Sequence, residues 1–140
     1  MNRFIALSIA ICAASGLAAA AAAQALPAGK PGYLKESHAD GASCSFWLKA
    51  DDKKPNRPNV VETDFQTYWV NINGKDMGFK DESPSQIMNI LTTPLGVYRL
   101  VEGNPIDREC EECSYREYKL LITPKAGPQT SNDLIGLCGS

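Results

Sequence analysis

Residues 68–79 read YWVNINGKDMGF, two short runs of strand-forming residues on either side of Asn73-Gly74. Asn-Gly suits a two-residue type I′ turn, which needs positive φ at both central positions. A turn of that length sets the register, so Ile72 faces Lys75, Val70 faces Met77 and Tyr68 faces Phe79. These pairs make one face apolar. The other face carries Thr67, Asn71, Asp76 and Lys80, with Trp69 opposite Gly78. The expectation is an antiparallel hairpin with one buried side and one side turned to water.

The same signals recur from residue 43 onward, as β-branched and aromatic runs bounded by Pro, Gly, Asn and Asp. They predict strands near 43–50, 59–65, 67–72, 75–80, 96–102, 115–123 and 133–138. Residues 81–95, bounded internally by Pro84 and Pro94, read equally as a helical turn or an irregular strand. The fold class that follows is all-β: a small antiparallel sandwich or partly closed barrel of six to seven strands, tied by disulfides.

Arg3 precedes an apolar, alanine-rich run that ends at Ala23-Gln24-Ala25. That is the pattern of a secretory leader, residues 1–25, with cleavage after Ala25. The run is too weakly hydrophobic in its second half for a membrane span, and no later stretch is apolar enough for one. Residues 26–42 carry Pro, Gly and charge without periodicity and read as a loosely ordered arm. Residues 43–140 then form a single β domain, and the expected location is periplasmic or secreted. Loss of Arg3 makes a chain of formal net charge −2 one unit more negative. No basic stripe is present for nucleic acid. Lys53-Lys54-Pro55-Asn56-Arg57 is short, broken by proline, and reads as a solvated loop.

With Cys12 in the leader, Cys44, Cys110, Cys113 and Cys138 remain. Four cysteines in an exported domain of this size point to two disulfides, with three connectivities open. Cys44 shares the phase of Phe46 and Leu48, so the preferred pairing is Cys44–Cys138 with Cys110–Cys113. Closing the longer loop is worth about 4–5 kcal/mol in the chain-entropy model. Against this pairing, Cys138 falls out of phase with Ile135 and Leu137, which are expected to point inward. Cys110-Glu111-Glu112-Cys113 lacks the helix that stabilises a redox thiolate, and its glutamates repel one. A zinc ribbon would show two chelating pairs where this chain has one. The Cys-x-x-Cys reads as a staple, with no metal and no cofactor expected.

Three aromatics fall on strand faces that are otherwise polar: Trp47 with Ser45 and Lys49, Trp69 on its hairpin, and Tyr115 with Glu117 and Lys119. They are the candidate binding residues, as aromatics with a polar tip favour interfaces. The plainer alternative is that Trp69 covers Gly78 and the second face is buried under other strands. The acidic run at residues 107–112 lacks the alternating ligands and glycine of a calcium loop. His38, the lone histidine, has no sequence neighbour to orient it as a base. No catalytic residue is assigned, because no hydrolase, metalloprotease or phosphate-loop motif is present.

SCSFW at 43–47, WVNINGKDMGF at 69–79, GVYRL at 96–100 and LCG at 137–139 together resemble small exported bacterial proteins of unassigned function. The general build also looks like small disulfide-tied periplasmic proteins that inhibit lysozymes, although no inhibitory motif carries over residue by residue. The functional expectation is an exported binding module, an inhibitor or envelope-associated factor acting on an envelope or extracellular protein or glycan. The alternatives are a small envelope enzyme using Cys110 and Cys113 for redox chemistry, or a structural subunit.

Overall fold

The computed structural model describes residues 29–139 except 84 and 86; the expected leader and Cys12 lie outside the described residues. Among them are eight strands: β1 (Ser43–Leu48), β2 (Val61–Thr63), β3 (Tyr68–Ile72), β4 (Lys75–Phe79), β5 (Met88–Thr93), β6 (Gly96–Ile106), β7 (Cys113–Pro124) and β8 (Thr130–Gly139). They form one antiparallel sheet in the order β4-β3-β2-β1-β8-β7-β6-β5. Consecutive strands pair throughout except β4 with β5, while the first and last strands pair from Ser43↔Gly139 to Leu48↔Leu134. The sheet is therefore a meander closed through its two terminal strands and open in mid-chain.

Curvature brings the open edges towards each other. Tyr68 and Val70 of β3 and Leu91, Tyr98 and Leu100 of β5 and β6 join one buried cluster with Phe46, Leu120, Ile122 and Leu134. The link between β4 and β5 then lies along the free edge of β5. Glu82 N–H donates to the Ile90 carbonyl at 2.9 Å, and Ile90 N–H donates to Asp81 Oδ1 at 2.9 Å. These bonds satisfy backbone groups that an open edge would leave unpaired. The result is a nearly closed barrel.

The hairpin has the expected register, Tyr68↔Phe79 through Ile72↔Lys75. Asn73 and Gly74 adopt φ of 51° and 82°, as the turn type requires. β5 is the strand the sequence left undecided. Its register against β6 puts Asn89, Leu91 and Thr93 on the inner side and Met88, Ile90 and Thr92 outside. Two of three inner positions are polar, so alternation of hydrophobicity, the usual strand signal, is absent.

One phase assignment is corrected. Leu134, Gly136 and Cys138 face inward opposite Leu48, Phe46 and Cys44, while Ile135 and Leu137 face outward with Trp47 and Tyr115. Cys44 and Cys138 are thereby direct cross-strand partners and are bonded, with Cα atoms 4.1 Å apart. Cys110 is bonded to Cys113. Gly136 explains why the inner stripe of β8 reads weakly in the sequence. A Cβ there would stand 2.6 Å from Tyr118 and 2.7 Å from Phe46. Its absence lets those rings meet edge to face, 4.8 Å between centroids.

Candidate functional site

Two patches on the outer surface gather the sequence-derived candidates. The first lies over β1, β8 and β7. Trp47 was a candidate for an exposed recognition surface with burial as the plainer alternative, and it is only 1% exposed. Loops, not other strands, cover it. The single 3-10 turn at Lys49–Asp51 folds the chain back, so that Trp47 Nε1 donates to Asp52 Oδ1 at 3.0 Å. Arg57 lays its guanidinium over the indole, 3.9 Å from a ring centroid. From the other side, Arg108 stands 4.6 Å over half-buried Tyr115 and donates to both Asp52 oxygens, at 3.2 and 2.9 Å. Trp47 and Tyr115 meet edge to face at 6.3 Å.

Asp52 is the hub of this patch. Hydrogen bonding to Arg108 outweighs the opposing desolvation and holds its carboxyl below the usual carboxylate range, with help from Trp47. The same bond raises Arg108. Arg57 makes no ion pair among the described residues, so the patch keeps a cation whose partner is an aromatic face. The neighbouring pairs Lys49–Glu117 and Lys119–Asp133 are solvent-facing and contribute little to stability.

The second patch lies over β2, β3 and β4. Trp69 is half-buried and covers Gly78, whose added Cβ would meet Trp69 Nε1 at 3.2 Å. The polar side of this hairpin was expected to meet water; instead the N-terminal arm lies on it, and Asn71 is buried. Among its described residues the arm has no strand beyond a bridge at Gly32↔Asn71, yet it is closely hydrogen-bonded. Asp76 Oδ2 accepts from the Lys35 and Glu36 amides and lies 2.9 Å from His38 Nε2. Glu62 Oε2 accepts from Ser37 Oγ and from the His38 and Ala39 amides. The remaining oxygens take side-chain amides of the barrel, Asn71 to Asp76 and Asn59 to Glu62. Burial pushes the Asp76 carboxyl up, but these bonds prevail and hold it below the usual range.

His38 therefore does have an orienting group, supplied from β4. Its ring stacks on Trp69, 5.6 Å between centroids and 13° between planes. Among the described residues neither ring nitrogen bonds a hydroxyl or thiol, so the pair positions the arm and activates no nucleophile. The sequence held no local signal for this contact, because its partners are 24 and 38 residues away.

The Cys110–Cys113 loop lies at the end of β6, with Cys110 and residues 107–112 exposed. No group of three or more His, Cys, Asp or Glu among the described residues is placed to hold a metal. No helix among them is long and apolar enough to cross a membrane. A cleft of 580 Å³ opens beside the arm between Tyr33, Leu48 and Asn132. No family model, curated protein or solved structure matches the chain.

Proposed function

We propose that the protein is an exported binding module, periplasmic or secreted, that recognises an envelope or extracellular protein or glycan through the outer surface of its barrel. The observation that carries this reading is the Arg57, Tyr115 and Arg108 patch built on Trp47. Tryptophan, tyrosine and arginine dominate the energetic centres of interfaces, and here two sheet-borne rings hold two loop arginines in place. Arg57 is half-exposed and unpaired among the described residues, which fits a partner presenting a carboxylate or another anionic group. The leader at residues 1–25 and the disulfides fit an oxidising compartment.

The test is capture from envelope extract by the purified chain and by its Arg57→Ala and Tyr115→Ala variants. The expected result is a partner retained by the wild type and lost by both variants at unchanged secondary structure. Equal retention by all three would remove the patch from the reading. The redox alternative draws on the exposure of Cys110. A thiol titration decides it: two free, acidic thiols in the native protein favour redox chemistry, and none favours the staple.

A further inference from the structure

We propose that the outer face of β2, β3 and β4 is a peptide-binding groove that the chain fills with its own residues 35–39, and that it accepts a net-basic segment of another protein. This goes beyond the Arg57 patch, which lies on a different face and does not enter the argument.

The docked arm shows what the groove selects. Each carboxylate offers one oxygen to three arm donors, and a barrel asparagine holds its other oxygen. The donors recognised are mostly main-chain: the amides of residues 35 and 36 on Asp76, and those of 38 and 39 on Glu62. Only Ser37 and His38 contribute side chains. A site that reads two pairs of consecutive amides in a segment bent at residues 35 and 36 tolerates many sequences. Trp69 adds a flat surface for whatever replaces His38.

Charge sets the class of occupant. Glu62 is 2% exposed and has no cation within ion-pair distance among the described residues. Among the described residues Asp76 is ion-paired only with His38. The groove thus presents two carboxylates against one ionisable partner. A lysine or arginine facing Trp69 would set a cation over the indole and beside Asp76, adding a cation–π contact. The arm is also built to leave. Lys35, Glu36 and Ser37 are themselves exposed, and the link to β1 is the exposed segment 40–42. Gly41 takes φ of 71° there, with open space around it.

The test uses the full chain with Glu36→Pro and Ala39→Pro, which delete one amide donor to each carboxylate and leave the barrel untouched. A His38→Ala chain serves if the proline variant fails to fold. The probe is a capped synthetic peptide of residues 34–40, with a second, net-basic version carrying Glu36→Gln, His38→Arg and Asp40→Asn, titrated by calorimetry. Saturable binding at least about tenfold tighter to the loosened chain than to the wild type is expected, because the internal segment no longer competes. The net-basic peptide should bind tighter still, and Glu62→Gln with Asp76→Asn should abolish binding. Absence of saturable binding to the loosened chain at about 1 mM peptide, or binding indifferent to Glu62 and Asp76, overturns the proposal. That outcome leaves the Arg57 patch standing, since capture through Arg57 and Tyr115 reads another face.

Discussion

The guanidinium of Arg57 lies 3.9 Å above the indole of Trp47, and this stack seals the outer side of β1. The two members are not equal in energy. Trp47 is fully buried, so Trp47→Ala should cost about 3–5 kcal/mol in a denaturant titration. Arg57→Ala should cost about 0.5–2 kcal/mol, the range of a partly desolvated cation–π contact. A Trp47→Ala loss below that of Arg57→Ala would mean the ring is not a packing element.

Gly136 faces Phe46 and Tyr118 with no room for a methyl group. Gly136→Ala should destabilise by about 1–3 kcal/mol through overpacking, although alanine suits a strand better than glycine. Melting temperature is the readout. A stabilised variant would show that the inner face has slack.

The two disulfides should separate by experiment. Cys44–Cys138 spans 94 residues and Cys110–Cys113 only three. In the chain-entropy model their removal costs about 4.7 and about 2 kcal/mol. Exposed Cys110 should also react first with a mild reductant, releasing two thiols while buried Cys44 stays bonded. Mass spectrometry after timed alkylation orders the two events.

Phe65, in the turn between β2 and β3, holds φ of 69° while 57% exposed. The left-handed region costs an ordinary L-residue about 1–2 kcal/mol. The conformation is kept by the Phe65 amide on Thr63 Oγ1 at 2.9 Å and by Asp64 Oδ1 accepting the Gln66 and Thr67 amides. Phe65→Asn should therefore raise stability by about 0.5–1 kcal/mol, since asparagine tolerates this region and little burial is lost. An unchanged or lower melting temperature would indicate packing by the exposed ring.

Acid should loosen the surface before the core. Asp52, Asp76 and Asp133 all lie below the usual carboxylate range: Asp52 and Asp133 through Arg108 and Lys119, and Asp76 through bonds that outweigh its burial. A depressed folded value gives stability that is complete above the unfolded value and lost as pH falls through the folded one. Unfolding free energy should thus be flat near neutrality and fall below about pH 4. Asp76→Asn should flatten that slope and, by hydrogen exchange, expose the amides of residues 35 and 36 at neutral pH. An identical slope in the variant would show that Asp76 is not one of the groups responsible.

The hairpin at residues 68–79 and the strand class were legible because each rests on short-range chemistry, whereas the pairing of Cys44 with Cys138, 94 residues apart, was one preference among three connectivities and ran against the expected phase of Cys138. Asn-Gly dictates a turn, a two-residue turn dictates register, and alternation dictates which side is dry. β5 was illegible because Asn89 and Thr93 occupy inner positions at the open seam. The phase of β8 was misleading for the opposite reason: Ile135 and Leu137 are apolar outside because loops cover them, and Gly136 is small inside because rings need its space.

The local pattern of residues was sufficient for seven of the eight short pleated segments and for four cysteines placed to form two bridges, though not for which cysteine joins which. It could not say that Arg57 and Arg108 cover two aromatics, or that Glu62 and Asp76 hold the arm. Glu62 and Asp76 take arm donors 23 to 41 residues away, and both arginines sit on loops whose placement over the rings exists only after the sheet has curled. Turn and strand preferences act between neighbours along the chain, whereas a carboxylate finds its donors only where folding delivers them.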